Sequence, residues 1–147
     1  MTDYELTQTV IGCAMKVHSA LGPGLLESAY QECLCFELLS AGLFAEKEKP
    51  MPLIYCDVKL DCGYRVDLMV ESRLILEIKA VEAINDVHLA QVLTYLKLAD
   101  LRLGLILNFH VLPLRDGIRR VVNRYDDSAS SATSAETSPT PAVKFGK

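Results

Sequence analysis

A chain of 147 residues, half of them hydrophobic, has room for one folded core, which excludes disorder for most of its length. Its net charge of −4, from 15 Lys and Arg against 19 Asp and Glu, excludes a global field that attracts nucleic acid, so a polyanion would need a local patch. Apolar runs such as Leu103 to Leu107 are too short to span a bilayer, and the opening MTDYELTQTV lacks the flank and apolar block of a signal peptide; a cytoplasmic protein with no membrane partner is expected.

Thr2 followed by Glu5 has capping-box spacing, and Val10, Ile11, Ala14, Val17 and Leu21 then recur at three and four. This predicts a helix over about residues 3 to 21, stopped by Gly22, Pro23 and Gly24. A second helix is expected from Leu25 to about Ala41, with Gly42 as its stop. From Phe44 to Ala80 the period moves toward two between turn signals, predicting three or four antiparallel strands. Asn85 and Asp86 offer caps for a third helix, VHLAQVLTYLKLA, and LRLGLILNF then reads as a strand buried on both faces. GIRRVVN closes the fold near Arg124, and its neighbourhood supplies four arginines (Arg115, Arg119, Arg120, Arg124) that suit a polyanion patch or a solvated face equally well. Residues 1–125 are thus expected to form one domain, and the Ser, Thr, Ala and Pro-rich residues 126–147 a disordered tail.

The five cysteines are odd in number and without CxxC spacing, so reduced thiols are expected, most of them as small buried hydrophobes. Cys33 and Cys35, two apart on a helix, point to different sides and make a poor metal pair.

The stretch DLMVESRLILEIKA, residues 67 to 80, places charges inside two apolar runs. If Val66, Leu68 and Val70 share a face with Leu74, Leu76 and Ile78, the pairs are Val70 with Leu74, Leu68 with Leu76 and Val66 with Ile78, around a loop Glu71, Ser72, Arg73. Asp67 then opposes Glu77, and Arg65 opposes Lys79. Like charges so placed, with β-carbons roughly 4.5 to 5.5 Å apart, are destabilising, so they need a cation between them or a shared proton. Oxygen donors suit magnesium or manganese, and Lys79 on the same face could act on a metal-bound water or a phosphate. A cross-strand salt-bridge patch on a solvated face accounts for the same four charges as well, on the hairpin alone.

Asp67 followed by Glu77-Ile78-Lys79 resembles the D and (D/E)xK signature of the PD-(D/E)XK nuclease superfamily, with a restriction-endonuclease-like fold. GLLESAY, Gly24 to Tyr30, is similar to the motif that names the GxxExxY proteins, a small family of that superfamily, and Gln91 to Tyr95, QVLTY, resembles the Q-x-x-x-Y element of its RecB-like branch. The resemblance runs from about Val10 to Asn123, with Val66 where the signature has proline. It implies an α/β fold with helices flanking a four- to five-stranded mixed sheet in the order α-α-β-β-β-α-β. It also implies a magnesium- or manganese-dependent nuclease that cuts phosphodiester bonds in DNA or RNA and leaves a 5′ phosphate; a folded part this small has no room for a separate recognition domain, so cutting that does not read sequence is expected. Asp67, Glu77 and the Ile78 carbonyl would be metal ligands, Glu27 would assist through water, Lys79 would be the catalytic lysine, and Gln91 and Tyr95 would contact nucleic acid. Gly24 and Tyr30 would be structural, as helix punctuation and a packed ring. His88 is expected as a surface or boundary histidine rather than a metal ligand. A protein partner or a second copy is compatible with so small a chain. The alternative is a silent nucleic-acid- or protein-binding module that keeps the fold, motivated by the net negative charge.

Overall fold

The computed structural model describes residues 1–124, so the expected tail lies outside the described residues. Helix α1, Asp3–Leu21, begins at the Thr2–Glu5 capping box, in which the Glu5 N–H donates to Thr2 Oγ1 (3.1 Å) and the Thr2 N–H to Glu5 Oε1 (2.9 Å). It ends at Gly22, whose φ of 67° lies where glycine carries no Cβ penalty. Helix α2, Glu27–Ser40, starts two residues later than the sequence suggests, because the turn after Gly24 holds Leu25 and Leu26 outside the helix. Gly42, at φ 85°, follows its end.

The segment expected to hold three or four strands holds five: β1 (Ala45–Pro50), β2 (Leu53–Tyr55), β3 (Val58–Leu60), β4 (Arg65–Val70) and β5 (Leu74–Lys79). Pro50 and Pro52 interrupt donation to a ladder, and Cys56 and Asp57, both at positive φ, turn β2 straight back on β3 as a separate two-stranded arm. Helix α3 (Asp86–Ala99) then crosses over to β6 (Leu103–Asn108), and β7 (Ile118–Val122) closes the main sheet. The sheet runs β1-β4-β5-β6-β7; β5 and β6 are parallel, as the intervening helix allows, and the other pairs are antiparallel. This is the expected α/β fold, a mixed sheet flanked by helices in the order α-α-β-β-β-α-β, with the arm and a further edge strand added.

Two apolar clusters sandwich the sheet. Leu6, Val10, Ala14 and Val17 of α1 and Tyr30, Leu34 and Leu38 of α2 pack on Leu68, Val70, Leu74, Leu76 and Ile78. On the other face Val92, Leu93, Tyr95 and Leu96 of α3 pack on Met69, Ile75 and Ile106. Every residue of β6 is buried, as its unbroken apolar run requires. Gly104 in that strand is set by packing, since an added Cβ would stand 2.9 Å from Val92 Cγ1.

The hairpin register is the expected one where the ladder runs, Val70 with Leu74 and Leu68 with Leu76 around the turn at Glu71 to Arg73. It ends at Leu68–Leu76, and the expected Asp67–Glu77, Val66–Ile78 and Arg65–Lys79 pairs are not made. Val66 packs in the α3-side cluster instead of with Leu68 and Val70. The physical cause lies at Asp67, whose carboxylate takes the Ile78 N–H (2.8 Å) that a strand carbonyl would otherwise accept, while its neighbour across β1, Glu48, sits at φ 55°.

The thiols correct another expectation. All five are free, but only Cys35 is buried; Cys33, Cys56 and Cys62 are exposed, on the outer face of α2 and on or beside the arm. Cys33 and Cys35 do face different ways.

Candidate active site

The carboxylates gather where the β4–β5 ladder opens. Glu77, third from the end of β5, points to the α3 side and is 5 % exposed. Its Oε1 is buried without a hydrogen-bond partner among the described residues, which for a charged oxygen costs far more than for a neutral one. Burial, then the nearby Asp67 charge, push its carboxyl up to about 8, against the opposing pull of Lys79 and the Asp67 N–H. Asp67 is half-buried; burial raises it as well, and the Ile78 N–H and Lys79 hold it down. The direct opposition inferred from register is therefore replaced by an arrangement in which Asp67 accepts from the backbone N–H immediately after Glu77.

Glu27 opens α2 and its Oε2 accepts from the Ala80 N–H (3.1 Å), which ties the helix start to the end of β5. The three named residues of the GLLESAY stretch divide the work. Gly24, at φ 105°, makes the turn. Glu27 reaches the strand, and the Tyr30 hydroxyl donates to the Gly22 carbonyl, accepts from the Leu25 N–H (3.1 Å) and lays its ring on Phe109 with centroids 4.4 Å apart. Tyr30 is fully buried, in the structural role its ring suggested.

From α3, Tyr95 reaches the same centre. Burial, then Glu77 and Asp67, push its phenol up to about 12, and Gln91 Nε2 donates to its hydroxyl (3.3 Å). His88 is a capping residue: its N–H donates to Asn85 Oδ1 (3.0 Å), and its Nδ1 accepts from the Asn85 N–H (3.1 Å).

Three contributors were not visible in the sequence. Glu48 lies between Lys47 and Lys49, which pair with Leu68 and Val66 on either side of Asp67; it accepts from Gln31 Nε2 (2.8 Å) and adds to the field that raises Asp67. EKEKP reads as ordinary alternating charge, and only the β1–β4 register turns Glu48 toward the site. Asn108, 1 % exposed, accepts from the Val81 N–H (3.1 Å) and donates to the Val81 carbonyl (2.9 Å), fixing the chain that leaves β5.

Glu27, Asp67, Glu77, Lys79 and Tyr95 thus interact through backbone bonds and charge at one end of the sheet, whereas Gly24 lies in the α1–α2 connection and Tyr30 in α2, bonded back to that connection. The donors fit a hard divalent cation in kind, being carboxylate oxygens with one buried oxygen unclaimed. Among the described residues, no three or more His, Cys, Asp or Glu side chains are already grouped as a metal cage.

A family model described as the PD-(D/E)XK nuclease superfamily matches residues 4–121. No curated protein and no solved structure matches the chain. No helix among the described residues is long and apolar enough to cross a membrane.

Proposed function

The chain belongs to the PD-(D/E)XK nuclease superfamily, and from that premise we propose that it is a magnesium- or manganese-dependent nuclease of the GxxExxY group, hydrolysing phosphodiester bonds in DNA without reading sequence. The observation that carries the proposal is the buried, unpartnered Glu77 Oε1 beside Asp67 and Lys79. A structural carboxylate would have acquired a donor, whereas a ligand carboxylate keeps an oxygen in reserve. Asp67, Glu77 and the Ile78 carbonyl would hold the cation, with Glu27 at the exposed rim engaging it through water. Bound there, the cation supplies an acidified water and charge neutralisation at the phosphate.

The chain's own residues do the rest. The Lys79 ammonium would orient the attacking water or hold a non-bridging phosphate oxygen, and its charge already lowers both Asp67 and Glu77. Gln91 and Tyr95 would position the substrate from α3. Arg119, exposed on edge strand β7, stands in the row Glu77, Ile106, Arg119 across three strands and would give the local positive charge that the overall balance denies.

The test is incubation with manganese and labelled single-stranded, double-stranded and branched DNA and RNA, beside Lys79→Ala. Cleavage by the wild type alone is expected; equal cleavage by both rejects the assignment. A silent binding module is the second reading, favoured by the net charge of −4. Calorimetry separates the two: manganese uptake that is lost on Asp67→Ala and Glu77→Ala supports the nuclease, and no uptake supports the module.

A further inference from the structure

A groove of about 470 Å³ opens beside the carboxylates, lined by Leu53, Tyr55, Tyr64, Gln91, Thr94 and Tyr95. We infer that this groove receives the face of an unpaired nucleobase next to the scissile phosphate, making single-stranded nucleic acid the preferred substrate. The inference rests on the nuclease reading and names its substrate class.

Four features support it. Three of the six lining residues are tyrosines, graded from floor to mouth: Tyr95 is 4 % exposed, Tyr64 43 % and Tyr55 47 %. Tyr64 and Tyr95 meet at a tilt of 60° with centroids 6.2 Å apart, so they do not close on each other as a parallel stack. Exposed ring faces of this kind accept any base, because every base has a π-face.

The groove is also continuous with the chemistry, since the Tyr95 phenol on its floor feels the Glu77 and Asp67 charges. Among the described residues no carboxylate and no ammonium lines it, so it suits a neutral ring rather than a phosphate. A cation stands outside the lining: Arg65 Nη1 donates to the Tyr64 carbonyl (3.2 Å), where a phosphate backbone could run. Asp61, three residues before Tyr64, is engaged by the Gly63 N–H (3.1 Å).

The third feature is the arm itself. β2 and β3 form a two-stranded sheet outside the main one, and β3 is exposed throughout. Such a hairpin adds little stability, yet it presents Tyr55, Val58 and Leu60 to solvent. Its placement of Tyr55 over the groove accounts for that exposure. The fourth is steric. In a duplex the base faces are already stacked, so only an unpaired base can lie on Tyr64 without the cost of extrusion, a few kcal/mol.

The experiment measures binding of a labelled twelve-residue oligothymidine and of its duplex with oligoadenine, by anisotropy with calcium in place of magnesium. It compares the wild type with Tyr64→Ala, Tyr64→Trp and the Tyr55→Ala, Tyr64→Ala double variant. Folding is checked by circular dichroism, and manganese affinity by calorimetry. The double variant is expected to lose single-strand affinity about tenfold to a hundredfold, as removal of a stacking ring does, while Tyr64→Trp retains it and duplex and manganese binding are unchanged. Single-strand binding that is absent in the wild type, or unchanged in the double variant, overturns the inference, as does equal loss for strand and duplex. The nuclease reading fails separately, by cleavage indifferent to Lys79→Ala, whatever the tyrosine variants do.

Discussion

The two ends of the β4–β5 hairpin use the same kinds of residue for opposite purposes. At the turn end, Glu71 Oε2 accepts from the Phe44 N–H (2.8 Å), and Arg73 donates to the Met1 carbonyl (3.0 Å) and pairs with Asp3 (2.7 Å). Each of those charges has a donor or acceptor and a share of solvent. At the open end, Asp67 and Glu77 stand together with burial raising both, and one oxygen remains unclaimed. The turn end spends its polar groups on holding the chain, and the open end withholds them. A site of chemistry is marked by that withheld capacity more than by charge as such.

Several substitutions would sharpen or break the contrast. The largest effect is expected at Lys79→Ala, which should reduce cleavage by about 10²-fold or more, the usual scale for removing one charge-stabilising donor, with the thermal midpoint little changed.

Next is Glu77→Gln, which should lower cleavage by no more than Lys79→Ala does and yet raise the thermal midpoint of the metal-free protein above pH 8. The sign follows from linkage. A carboxyl raised to about 8 in the fold but near 4.5 when unfolded binds its proton more tightly in the native state. Native stability is then favoured below pH 4.5 and lost as pH rises toward 8; Asp67, also raised, acts in the same direction. Melting curves from pH 5 to 9 check this. A wild type that gains stability across that range would contradict the buried, unpaired state of Glu77, and added manganese should flatten the decline.

Gly104→Ala should cost about 1 to 3 kcal/mol by overpacking, because its Cβ would press on Val92 on the α3 face; urea denaturation measures it. The smallest effect is at the turn end. Arg73→Ala, removing an exposed ion pair, should cost no more than about 1 kcal/mol and leave cleavage rates as they are.

Much of this was legible along the chain, for reasons local to it. The Thr2–Glu5 box, the glycines after α1 and the unbroken apolar run of β6 each fix their own structure within a few residues. The hairpin pairs nearest the turn followed from alternation alone. What was not legible depends on non-local partners. Val66 changes cluster because Asp67 takes a backbone donor from β5. Glu48 and Gln31 come to the site only through the β1–β4 register and the packing of α2. The arm separates from the sheet where Pro50, Pro52 and the paired left-handed residues Cys56 and Asp57 cut the run that alternation joined. The groove and its tyrosines are products of that separation, so periodicity could not announce them.

Asn108 carries one consequence further. With one acceptor and one donor to a single residue, its side-chain amide imitates a peptide group and lengthens the parallel ladder by one rung after β6 has turned away. Only an amide can do this, because a carboxylate has no proton for the Val81 carbonyl. Asn108→Asp, a change of one heavy atom, would set like partial charges face to face there. The chain leaving Lys79 would then lose its guide rail, and a residue that touches no substrate would decide how accurately the lysine is aimed.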